Sequence, residues 1–188
     1  MHRATALAMA LLLSLVLAQT WQATKSPGFR VQTASSADHQ LLPQVFQILQ
    51  KARRDLELSG LKIPSTVTVV IHPDLKSYTR TTRLPWFVMA VSDRGKSRID
   101  TQRLQILLDR GSLERTLRHE LFHLAQPANW PRWKAEGSAM RFAGDEPTAQ
   151  PLQNIAEANL DELLANPPNA QTLARAMATA YAWVERHP

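Results

Sequence analysis

His119, Glu120 and His123 stand in the order H-E-x-x-H. Two histidines four residues apart project from one face of an α-helix, about one turn from each other, so both imidazoles can reach one divalent ion. A glutamate beside the first histidine lies near the open side of such an ion, where its carboxylate can take a proton from water. The chemistry these residues can do together is metal-assisted hydrolysis. The plainer alternative is a core helix carrying two hydrogen-bonded histidines. The i, i+4 spacing with Glu directly after the first His speaks against it.

Such residues need a helix to hold them. Leu113, Leu117, Leu121 and Leu124 recur at helical spacing, and Phe122 adds bulk. Ser112 is a candidate N-cap and Pro127 a stop. The pattern predicts one helix over 113–126, buried along one side.

Downstream runs Pro131-Arg132-Trp133-Lys134-Ala135-Glu136-Gly137. With the H-E-x-x-H helix before it, this segment resembles the gluzincin metallopeptidases, the thermolysin-like zincins. Their small members carry P-x-W-x-x-E-G at the start of a second helix. The resemblance implies that His119, His123 and Glu136 bind one Zn2+ and that Glu120 is the base acting on a zinc-bound water. The spacing permits it: Pro127 ends the first helix, 128–130 turn, and Asn129 can cap a second helix with Pro131 in its first turn. The bland alternative for Glu136 is an exposed helix charge. Two departures stand out. The interval from His123 to Glu136 is shorter than in thermolysin itself. Met140 stands where these enzymes often place an Asp that orients a histidine. A third-histidine H-x-x-G-x-x-H continuation is absent, which excludes the metzincin pattern.

An oxyanion formed during hydrolysis needs a donor besides the metal. Gluzincins often supply a Tyr or His from the C-terminal helical part, and Tyr181 is the residue the resemblance suggests. It reads equally as an aromatic core anchor. Tyr78 has a weaker case, and His72 at a strand end reads as structural.

The elements around these residues follow from the rest of the chain. Residues 1–18 have a short positive start, an apolar run and small or medium residues before the position after Ala18, which reads as a secretory signal peptide; an uncleaved anchor is the alternative. Export follows, to a periplasmic, secreted or envelope-associated location. Cysteine is absent, excluding disulfides, cysteine metal ligands and thiol nucleophiles. A core must therefore hold the domain, and about 170 residues suffice. Net charge is +6 and pI about 10.2. The basic residues are scattered without aromatic interleaving, which argues against nucleic acid and allows at most a weak association with anionic envelope surfaces.

Residues 19–28 read as a linker and 29–188 as the domain. Strands are predicted at 29–33, 66–71, 87–91 and 97–101, helices at 38–58, 113–126, 131–143, 152–165 and 172–185, and a short helix or turn at 75–82. The order is that of an α+β fold. The resemblance implies a zincin-like layout: a small mixed or antiparallel sheet packed on the H-E-x-x-H helix, then a helical C-terminal part. It also implies an edge strand that pairs with an extended peptide substrate, from either 87–91 or 97–101. The expected function is an exported zinc metallopeptidase acting on peptides or proteins. A zinc-stabilised, non-catalytic binding protein of the cell envelope is the alternative.

Overall fold

Alternating β-branched and aromatic residues give the sheet its buried face. The computed structural model describes residues 20–186, so the leader expected at 1–18 lies outside the described residues. Strand β2 (Phe29–Thr33) pairs in parallel with β3 (Val67–Ile71), and β3 with β5 (Arg98–Thr101). In this register Phe29 meets Val67, while Val31, Val69 and Ile99 lie side by side. These residues share one pleat face and are buried together. Strand β1 (Gln22–Ser26) runs antiparallel to β2, and β4 (Ala90–Asp93) antiparallel to β5. Among the described residues the order β1-β2-β3-β5-β4 leaves β4 as a free edge.

The described residues also form eight helices: α1 (Ser36–Gln40), α2 (Leu42–Leu58), α3 (Leu75–Thr82), α4 (Leu104–Asp109), α5 (Leu113–Ala125), α6 (Arg132–Ala143), α7 (Glu157–Ala165) and α8 (Ala170–Arg186). The fold is α+β with a mixed five-stranded sheet. Among the described residues no helix is long and apolar enough to cross a membrane.

Two cores organise the molecule. In the first, Leu49 and Leu56 of α2 and Leu117 and Leu121 of α5 pack on the buried sheet face. Each is fully buried, worth about 1.5–3 kcal/mol apiece. The second joins Trp133 of α6, Leu160 and Leu164 of α7, and Ala176 and Ala180 of α8. Arg118 of α5 links the parts: Nη1 donates to Asp55 of α2 at 2.7 Å and Nη2 to the Phe142 carbonyl of α6 at 2.9 Å.

Several elements differ from expectation. Within the supposed linker 19–28 lies β1, hydrogen-bonded to β2. The single helix expected over 38–58 is two, because Pro43 has no N–H to continue a ladder and instead occupies the first turn of α2. The strand expected at 87–91 is displaced to 90–93, leaving 84–89 irregular. Helix α4 was not foreseen, and α7 begins only at Glu157. Neither expected cap works as such. Ser112 makes no capping bond to α5; its hydroxyl donates to the Leu107 carbonyl at 3.3 Å. The start of α6 is served not by Asn129 but by Asp161 of α7, which accepts from the backbone N–H groups of Arg132 at 3.2 Å and Trp133 at 2.7 Å. Asp38 likewise serves α4 from a distance, accepting from Leu104 N–H at 3.1 Å.

Candidate metal centre

The two cores present their helices to each other at one place. Helix α5, seated on the sheet by Leu117 and Leu121, turns His119, Glu120 and His123 toward an open cleft of about 1020 Å³. Helix α6, held by the second core, turns Glu136 into the same cleft. Trp133 Nε1 donates to Glu157 of α7 at 2.7 Å, and the Trp133 ring meets the edge of Trp183 on α8. These contacts fix the first turn of α6, one turn before Glu136.

Gly137 sets how deeply α6 sits. A Cβ at this position would lie 2.3 Å from the Ala180 carbonyl oxygen and 2.7 Å from Val184 Cγ2. Only glycine lets the backbones of α6 and α8 approach so closely, and the small residues Ala176 and Ala180 extend the contact. The glycine after Glu136 therefore has a packing reason.

Three ligand atoms converge. His119 Nε2 lies 2.9 Å from His123 Nε2 and 3.2 Å from Glu136 Oε2, and His123 Nε2 lies 3.3 Å from the same oxygen. A tetrahedral zinc ion with bonds of about 2.0–2.1 Å separates its ligands by about 3.3–3.4 Å. The three atoms are already close to that spacing. Two imidazole nitrogens in contact also cannot both present lone pairs to each other; a proton or a cation must lie between them. Burial alone disfavours the imidazolium of His123, but the Glu136 carboxylate outweighs it by charge and hydrogen bond, with Glu120 and Gln126 adding to it. His123 is pushed up to about 9. Burial alone would raise Glu136, yet His123 and His119 hold its carboxyl well below the usual range. The pocket is built for positive charge, and a His2Glu donor set suits a divalent zinc ion.

Gln126, one turn beyond His123, was missed in the sequence. Its Oε1 lies 3.0 Å from His123 Nδ1. A proton on Nδ1 donated to this oxygen leaves the Nε2 lone pair for a metal, the service often given by a carboxylate. The signal was the i+3 spacing from His123, with an amide in place of an acid. Met140, where an Asp was wanting, is simply buried. Arg94, just after β4, donates to the carbonyls of His123 at 2.8 Å and of Gln126, tying the end of α5 to the sheet edge.

Glu120 is 7 % exposed and does not join the three ligand atoms; its Oε2 accepts from the Ser92 hydroxyl of β4 at 2.8 Å. Ser92 lies opposite Ile99 in the antiparallel register and so points to the α5 face. The structure does not bring Tyr181 to the site. Its ring lies under the Arg141 guanidinium, 4.5 Å away, and it is not among the residues that line the cleft. It stands one turn past Met177 on α8, on the same stripe as Leu173 and Met177, and the part of α8 that lines the cleft ends at Met177. His72 is structural, as expected: it is buried between Asp100 at 2.7 Å and Ser77 at 3.1 Å. No protein-family model, curated protein or solved structure matches this chain.

Proposed function

We propose that this protein is an exported, zinc-dependent peptidase with a zincin-like arrangement of sheet and helices. The observation that carries the reading is the convergence of His119 Nε2, His123 Nε2 and Glu136 Oε2 in an open cleft, with the Glu120 carboxylate beside them but outside the triad. A merely structural metal site has no use for that fourth group.

His119, His123 and Glu136 would hold the ion. When bound, it supplies Lewis acidity, making water more acidic and polarising a carbonyl. Glu120 then acts as general base: it accepts the proton of the attacking water and passes it to the departing amine. Ser92 holds Glu120 to one rotamer, and Gln126 keeps the donor nitrogen of His123 directed inward. The free edge of β4 lies along the cleft through Ala90, Val91 and Ser92, so an extended peptide can add there as a further strand. Of the two candidates, 97–101 falls in β5, which is paired on both sides, so the reading rests on β4, the displaced form of the strand expected at 87–91. Tyr181 does not line the cleft and is given no role in this reading.

The test begins with zinc per chain in protein lacking residues 1–18, beside His123→Ala. The expected result is one zinc, lost in the variant. Cleavage of an unstructured polypeptide by wild type and by Glu120→Gln then separates a peptidase from a zinc-stabilised binding protein. The variant should keep its zinc and lose at least about a hundredfold in rate. Equal activity in the two proteins sinks the mechanism.

A further inference from the structure

One wall of the cleft has no regular backbone pairing, and one buried side chain makes two of the hydrogen bonds that fasten it. Residues 84–89 run irregularly between α3 and β4. Leu84, Phe87, Val88 and Met89 from this segment line the cleft that the metal centre opens into. Within the segment Val88 N–H donates to the Pro85 carbonyl at 3.0 Å, a single turn. At its ends Leu84 N–H donates to the Thr82 hydroxyl at 3.2 Å, and Met89 receives the Thr101 hydroxyl on its carbonyl and Arg110 on its sulfur, each at 3.4 Å. The middle of the segment is held by Gln102, just past the end of β5. Its Nε2 donates to the Trp86 carbonyl at 2.8 Å and to the Val88 carbonyl at 2.9 Å. Its backbone N–H donates to the Met89 carbonyl at 2.9 Å.

Gln102 is 4 % exposed. A primary amide carries two N–H donors on one nitrogen, and here each takes one of two alternate carbonyls. The side chain thus stands in for the strand neighbour that 84–89 lack. An apolar wall selects among ligands only while it keeps its shape, because a wall that must first be ordered charges that entropy to binding.

We propose that Gln102 is a positioning residue for ligand selection: it fixes the apolar wall 84–89 and thereby the cleft's preference for a ligand with an apolar side chain. The ligand half rests on the metal-centre reading; the clamp itself does not.

The test uses zinc-loaded wild type and Gln102→Met, which keeps the length of the side chain and removes both donors. The probes are leucine hydroxamate and acetohydroxamate, which share the chelating group and differ in the apolar side chain. Wild type should bind leucine hydroxamate at least about tenfold more tightly than acetohydroxamate. In Gln102→Met that ratio should fall to within about threefold, with the acetohydroxamate Kd and zinc content unchanged. Hydrogen exchange at the amides of 86–89 should quicken about tenfold or more. A ratio near one in wild type, or one kept in the variant, overturns the proposal. If wild type binds neither probe, the metal-centre reading has failed and exchange alone decides: faster exchange in the variant supports the clamp, and unchanged exchange overturns it. Should Gln102→Met not fold, Gln102→Asn, too short to span both carbonyls, is measured the same way.

Discussion

The Ser92 hydroxyl donates to Glu120 Oε2 at 2.8 Å, joining the free-edge strand to the carboxylate beside the metal ligands. The strand on which a peptide would lie and the group that would take the proton are thus mechanically one unit. Ser92→Ala should lower kcat about tenfold and leave KM and zinc content in place, while Ser92→Thr, which keeps the hydroxyl, should retain most of the rate. Steady-state kinetics beside metal analysis reads both.

Gln126 directs His123. Gln126→Ala should weaken zinc binding by about 10–100-fold, the usual cost of losing a partner behind a ligand. Competition against a fluorescent chelator measures it. An unchanged affinity would mean that the 3.0 Å contact does not orient the ring.

Asp161 holds the first turn of α6 from α7. Asp161→Ala removes a charged acceptor from two backbone N–H groups at a helix N-terminus and should cost about 1–2 kcal/mol. Urea unfolding reads the loss. Asp161→Asn, which can still accept, should recover more than half of it.

Gly137→Ala places a methyl against the Ala180 carbonyl, where a backbone rather than a flexible side chain must yield. The expected loss is about 3 kcal/mol, at the upper end for overpacking. Zinc affinity should fall with it, because Glu136 is the neighbouring residue. The same substitution at Ser138, partly exposed on α6, should change stability by less than about 0.5 kcal/mol.

Metal-free protein should lose stability as pH rises from 6.5 to about 9. His123 is raised from 6.5 to about 9, so the folded state binds more protons than the unfolded chain across that window, and the stabilisation is complete below it. Glu136 works in the other direction: its carboxyl is depressed, so its contribution is present above 4.5 and fades as pH falls below. Zinc competes with the His123 proton, so its added stabilisation should grow over the interval in which the apo protein weakens. Urea midpoints with zinc and with chelator, at pH 6.5, 7.5 and 9, test both slopes.

What the sequence revealed was whatever a short stretch encodes by itself. The leucines of α5 and the β-branched run of β3 have one period each and were found within a residue or two. The three residues whose side chains converge were picked out because two of them share one helix turn and the third follows a recognisable segment. The failures have a common physical cause. The caps of α4 and α6 come from Asp38 and Asp161, dozens of residues away, where no local pattern points to them. Residues 87–89 carry strand-like side chains, but the Val88 carbonyl is met by the Gln102 side chain and only the Met89 carbonyl by a backbone N–H, so they are not a strand. Tyr181 was placed by resemblance alone; it stands a turn beyond Met177, where α8 no longer lines the cleft, and its ring lies against Arg141.

The contact between Gly137 and Ala180 also bears on how the centre comes into being. Both histidines stand on a helix that is complete by residue 125, but the backbone seat that fixes Glu136 is made by residues 170–186. A nascent chain still short of α8 can offer a cation two imidazoles and a loosely placed carboxylate, and no more. The close approach of all three candidate ligand atoms must wait until synthesis has passed α8 and the chain has closed on itself. If the protein is the peptidase proposed above, it is thereby inactive while it is still being produced.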